Sequence, residues 1–189
     1  MSSFTIADAV ALLAWTSFVL YQLFPNNIHH VRYYNSKVSG LRCVAPSSLL
    51  YYIPVFVACY GSSLIFAPFL YFRSTTNWSA EAIVVLTCML LIVLVDKAWP
   101  YVFFEAKMLK TNIAIIVFMI IMSSTVLIFM ALTPHWIPFV LHVPFNLLMV
   151  HLLIVSVDWY YTYSSSSPAA AGIMLTPSGR GGSKVSCII

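Results

Sequence analysis

The chain has 189 residues, of which 61% are hydrophobic and 7% charged, and nine Lys/Arg against five Asp/Glu give a net charge of +4. Soluble domains carry about a quarter charged residues, so a soluble globular domain is excluded and the bilayer is the expected solvent, in line with a mean hydropathy of +0.94. So few cations in so much apolar chain cannot form the basic stripe that nucleic acid requires, so the expected partners are membrane lipids and no nucleic acid.

A spanning helix needs about 20 mostly apolar residues, and five stretches qualify: 4–24, 48–72, 80–104, 111–133 and 137–160. The expected fold class is all-α, an integral membrane bundle of five transmembrane helices over residues 1–163, with a tail at 164–189. The first stretch lacks a basic leading region, carries Asp8 early and has no small-residue cleavage site before Pro25, so it is expected to stay as a helix. The connection 25–47 is long, whereas 73–79, 105–110 and 134–136 are short enough to force antiparallel neighbours.

The second stretch carries Pro54 and Pro68, the third contains Pro100, and the fifth contains Pro144. Each removes a backbone donor, and the resulting kinks open space between helices. The turn after the second stretch holds the glycosylation sequon Asn77-Trp78-Ser79, close to two helix ends, which leaves a glycan little room.

On the third stretch, Asp96 and Lys97 lie about two turns from the helix end. Lys97 can snorkel to the interface. Asp96 cannot, and Trp99 and Phe103 follow it at i+3 and i+7 on one face. Intramembrane ionisable groups are expensive and face the bundle interior, so Asp96 reads as a pocket residue or as a structural hydrogen-bonding group.

On the fifth stretch His142 and Asn146 share a face at i,i+4, and His151 lies about half a revolution from His142. The two histidines therefore cannot hold one ligand together. A haem would need His29, His30 or His135, all in connections, so no resident cofactor is expected. His142 and Asn146 read equally as interhelical hydrogen-bond glue and as ligand contacts.

The tail, with four consecutive serines, three alanines and a Gly/Ser stretch, is expected to be disordered. Cys187 stands third from the end, which misses the prenylation pattern. With Cys43, Cys59 and Cys88 it forms neither a CxxC pair nor a His/Cys cluster, so neither a disulfide framework nor a metal site is implied.

Five crossings put Arg32, Lys37, Arg42, Lys107, Lys110, Arg180 and Lys184 on one side and Arg73 alone on the other. By the positive-inside rule the long connection and the tail face the cytosol and the N-terminus faces away. No HExxH, nucleophile elbow, phosphate loop or helical pair of carboxylates occurs, so an enzyme is not expected. The alternatives are an enzyme acting on a lipid-soluble substrate, with Asp96 and His142 as acid and base, and a structural membrane assembly protein. The abundant aromatics at helix ends, Tyr33-Tyr34, Tyr51-Tyr52, Trp99 to Phe104 and Trp159-Tyr160-Tyr161, read mainly as an interfacial belt. The sharper reading is an apolar cavity for a flat hydrophobic ligand.

Three segments go further. The second helix carries Pro54-Val55-Phe56 followed by Tyr60-Gly61; the third ends with Asp96, Trp99, Phe103-Phe104 and Lys107; the fifth offers Pro138-Phe139, His142, Phe145-Asn146 and Met149-Val150. In this order they resemble the translocator protein and tryptophan-rich sensory protein family (the peripheral-type benzodiazepine receptor family) over roughly residues 46 to 160. That family has Trp at Phe56 and at His142, Asn at Asp96, and a small residue at Asn146. The resemblance implies a membrane receptor or transporter whose cavity, beneath the long first connection, takes a small apolar ligand such as a porphyrin or a sterol. The implied ligand-binding residues are Pro54, Phe56, Tyr60, Asp96, Trp99, Phe103, His142, Phe145 and Asn146. It also implies a homodimer and an intracellular membrane such as the mitochondrial outer membrane. A sterol-recognition pattern is missing after the fifth helix, since no basic residue follows Tyr163 before Arg180, although Val31, Tyr33 and Lys37 match it in the connection.

Overall fold

Thr5 and Asp8 open the first helix as a capping box: the Thr5 hydroxyl accepts from the Asp8 amide at 3.2 Å, and Asp8 Oδ2 accepts from the Thr5 amide and hydroxyl, each at 2.8 Å. The computed structural model describes residues 5–23, 28–41, 45, 50, 52–74, 79–133 and 136–164. Its elements are α1 (Ile6–Leu23), α2 (Ile28–Lys37) with a 3-10 turn at Val38–Gly40, α3 (Tyr52–Tyr60), a π-helical segment Gly61–Phe66, α4 (Ala67–Ser74), α5 (Ala80–Pro100), a second π segment Tyr101–Glu105, α6 (Leu109–Ala131) and α7 (Ile137–Ser164). Among the described residues there is no strand. Asn77 and Trp78 of the sequon, Cys43 and Cys187, His135 and residues 165–189 of the tail lie outside the described residues.

Among the described residues four helical stretches are long and apolar enough to cross a membrane: Pro54–Ser74, Ala80–Glu105, Leu109–Ala131 and Ile137–Tyr163. The apolar part of α1, Ile6–Val19, is shorter. At 1.5 Å per residue the 18 residues of α1 reach about 27 Å, close to the hydrocarbon thickness of about 30 Å. The chain is thus an all-α, multi-pass membrane bundle of about five helices. α6 packs against α5 and α7, while α1 lies against α5 and the first π segment.

The long connection holds structure that the apolar runs did not predict. α2 is amphipathic, and its Tyr34 and the following Val38, one turn apart, are both buried. The 3-10 turn then brings Gly40 so close to α7 that a Cβ there would come within 2.6 Å of the Tyr163 hydroxyl.

The expected proline kinks take a specific form. Two stretches widen into π segments, which add a residue to the turn, and each buries consecutive side chains: Ser63, Leu64 and Ile65 in the first, Phe103 and Phe104 in the second. The first is followed by Pro68 and the second is preceded by Pro100. Having no N–H, Pro68 can satisfy neither the Leu64 carbonyl four residues back nor the Ser63 carbonyl five residues back. Trp15 Nε1 of α1 donates to Leu64 O, and His142 Nδ1 of α7 donates to Ser63 O at 3.1 Å. The π register, which sends the Ala67 N–H to Ser62 O, and the N–H missing at Pro68 together leave acceptors that two other helices take up.

Candidate functional site

The side chains singled out in the sequence fall into two neighbouring groups. In the first, Phe56 and Tyr60 come from α3, Asp96 and Trp99 from α5, and Phe103 from the second π segment. The Tyr60 hydroxyl donates to Asp96 Oδ1 at 2.6 Å. Trp99 and Phe103, one turn apart, stack with 6° between planes and 5.8 Å between centroids. Phe103 meets Phe104 edge to face at 4.7 Å and Trp159 at 5.1 Å. Tyr33 and Tyr34 of α2 close the cluster, with centroids 5.9 and 5.6 Å from Trp159.

These rings enclose a cavity of about 20 Å³ lined by Tyr34, Phe56, Trp99, Phe103, Phe104, Leu152, Val155 and Ser156. Its surroundings hold three buried polar atoms without hydrogen-bond partners: Trp99 Nε1, Trp159 Nε1 and Asn112 Oδ1. Asn112 Nδ2 does donate to the cavity-lining Ser156 hydroxyl, at 3.0 Å. Unpaired buried polar groups are rare and costly, so their concentration around one aromatic cavity marks it out.

Pro54 departs from the expected set. It is exposed, because it stands two residues before Phe56, about 200° around the helix. The second group is His142, Phe145 and Asn146, none of which lines the small cavity. His142 is fully buried. Since the Ser63 carbonyl can only accept, Nδ1 carries the proton, and Nε2 accepts from the Ser123 hydroxyl at 3.0 Å. Asn146 Nδ2 donates to Ser123 Oγ at 3.3 Å and to Ser124 Oγ at 3.0 Å. Ser63 Oγ donates to Leu141 O at 2.8 Å. The network joins the first π segment, α6 and α7, with both ring nitrogens of His142 engaged inside the protein. Phe145 bridges the groups, 5.2 Å from the Tyr60 ring and 5.8 Å from that of His142.

The acid–base pair considered for an enzyme is therefore not assembled: Asp96 bonds to Tyr60, His142 to serines, and aromatic rings lie between. Lys97 points away from the cavity, with Nζ 3.4 Å from the Tyr21 carbonyl and 5.1 Å from the Tyr21 ring centroid on α1. Among the described residues no group of three His, Cys, Asp or Glu side chains could hold a metal ion.

The aromatic run Trp159-Tyr160-Tyr161 reads in sequence mainly as an interfacial belt, and nothing there singles out Asn112 or Ser156. Leu152, Val155, Ser156 and Trp159 form a stripe at i, i+3, i+4 and i+7, a signal that could have found this wall. Trp159 is fully buried, whereas Tyr161 is exposed as a belt residue would be.

Lysines cluster at the α2 end of the bundle. Lys107 lies 5.6 Å from the Tyr33 ring, Lys37 5.3 Å from Tyr163, and Lys110 5.9 Å from Tyr160. Comparison with models of known protein families, with curated proteins and with solved structures found no match.

Proposed function

We propose that this chain is a membrane receptor or transporter of the translocator type that binds a flat, apolar, porphyrin- or sterol-like ligand among Phe56, Trp99 and Phe103, beneath α2. The observation that carries this reading is the Trp99 indole N–H, buried in the cavity wall without an acceptor. Such a group costs about 1–3 kcal/mol, and a ligand with an acceptor atom at the rings removes that cost while stacking on Trp99 and Phe103. The cavity of about 20 Å³ is far below the roughly 300–1,000 Å³ of drug-sized sites. Binding therefore couples to displacement of α2, whose Tyr33 and Tyr34 cover Trp159.

In the same reading the lysine-rich end faces the cytosol and the start of α1 faces away, in an intracellular membrane such as the mitochondrial outer membrane. The test is a fluorescence-quenching titration with protoporphyrin in detergent, where Trp159 still reports when Trp99 is replaced. Trp99→Phe keeps the stacking surface, removes the donor and is expected to weaken binding about ten-fold with helicity unchanged. Unaltered affinity in a folded variant would put the ligand elsewhere.

A further inference from the structure

The opposite end of the bundle holds a larger cavity, about 270 Å³, between α1, α4 and α5. Leu12, Trp15, Phe69, Phe72, Leu86 and Met89 give it apolar walls, and Asp8 and Arg73 also line it. Asp8 is in the first turn of α1 and Arg73 in the last turn of α4, so two opposite charges stand where these helices end and the apolar walls run inward from them. Asp8 and Trp15 are seven residues apart, which makes the groove about 10 Å deep along α1. Trp15 and Pro68 stand at its inner end, where the Trp15 indole is already committed to the Leu64 carbonyl. Apolar walls favour a hydrocarbon occupant over water, and within a bilayer the molecules at hand to fill the groove are lipid chains.

The rim selects the head. A guanidinium matches phosphate with its fork of donors. Thr5 engages only Oδ2 of Asp8, so Oδ1 is a second acceptor on the same carboxylate. A primary ammonium can donate to it and brings the opposite charge; a quaternary ammonium cannot donate, and the glycerol of phosphatidylglycerol donates without a charge. We propose that this groove binds a phospholipid of the phosphatidylethanolamine type, with one acyl chain between Leu12, Phe72 and Leu86, its phosphate on Arg73 and its ammonium on Asp8.

The test uses the full chain, equilibrated in mild detergent with equal amounts of phosphatidylethanolamine, phosphatidylcholine and phosphatidylglycerol of one acyl composition. Retained lipid is then counted by native mass spectrometry. The wild-type chain is expected to retain the ethanolamine lipid about ten-fold over each of the others, as one charge-assisted hydrogen bond allows. Asp8→Asn, which keeps the size of the side chain, should bring that ratio to near parity. Leu86→Trp, which fills the groove, should abolish retention of all three. Equal retention by wild type, a preference for the anionic lipid, or an ethanolamine preference that survives Asp8→Asn would each overturn the proposal. The wild-type measurement decides even if a variant fails to fold.

Discussion

Ser63 and His142, 79 residues apart, are joined by a hydrogen bond from the imidazole Nδ1 to a main-chain carbonyl at 3.1 Å. The carbonyl is available because Pro68 cannot donate to it, and the bond sets the histidine tautomer, which makes Nε2 the acceptor for Ser123. A polar group freed on one helix thus dictates the chemistry of a side chain on another.

Replacing His142 should therefore show in stability more than in binding. His142→Phe strands the Ser63 carbonyl and the Ser123 hydroxyl and is expected to cost about 2 kcal/mol or more, well above the average of about 0.6 kcal/mol for one interhelical bond in a membrane. Unfolding titrations in mixed detergent micelles measure this. Porphyrin affinity should stay unchanged, because His142 touches neither Trp99 nor the small cavity; a large loss of affinity would return His142 to the ligand site.

Trp15 and Pro68 should be energetically coupled. In the wild-type chain Trp15→Phe leaves the Leu64 carbonyl unpaired, at a cost of about 1–3 kcal/mol. In a Pro68→Ala background the restored amide at position 68 can satisfy that carbonyl, so the same Trp15 change should cost about 1 kcal/mol less. Equal costs in the two backgrounds would show that Pro68 is not what frees the acceptor.

Tyr60 and Asp96 should respond asymmetrically. Tyr60→Phe removes the donor and leaves the buried carboxyl group without it, for an expected loss of about 1.5–3 kcal/mol. Asp96→Asn retains an oxygen acceptor for the Tyr60 hydroxyl and is expected to stay within about 1 kcal/mol. Thermal unfolding of the two variants side by side makes the comparison, and an equal loss would mean that the carboxyl is held by something other than Tyr60.

The arrangement of the ends can be mapped by labelling single cysteines in a chain whose four native cysteines are replaced. Lys37→Cys and Lys110→Cys should react with a membrane-impermeant maleimide from the cytosolic side. Thr5→Cys and Leu132→Cys should react from the other. Labelling of Lys37→Cys and Lys110→Cys from opposite sides would break the five-crossing arrangement.

How much of this was legible depended on whether a feature is local in the chain. Apolar runs set the helices to within a few residues, because burial in lipid imposes one composition over a whole span. The stacking of Trp99 on Phe103 is local in the chain, four residues apart on one side of the helix, and so is visible in the spacing alone. The same geometry put His142 beside Asn146, yet their partners Ser63, Ser123 and Ser124 sit on other helices, and no periodicity within α7 points to them. α2 was missed because a short amphipathic helix carries too few apolar residues to register as a span. The π segments were missed because prolines announce a break without specifying how the backbone widens around it. Which of the aromatics in Trp159-Tyr160-Tyr161 face inward is not legible from their abundance at a helix end: Trp159 is buried and Tyr161 exposed.

The two carbonyls left open around Pro68 also impose a timetable on synthesis. Membrane chains are made from the N-terminus, so Trp15 already exists when Pro68 is added and can take the Leu64 carbonyl at once. His142 does not, and α4 must wait in the bilayer, through the making of α5 and α6, with the Ser63 oxygen unmatched in a solvent that offers it nothing. The half-made protein therefore carries a polar group whose side-chain partner arrives with α7.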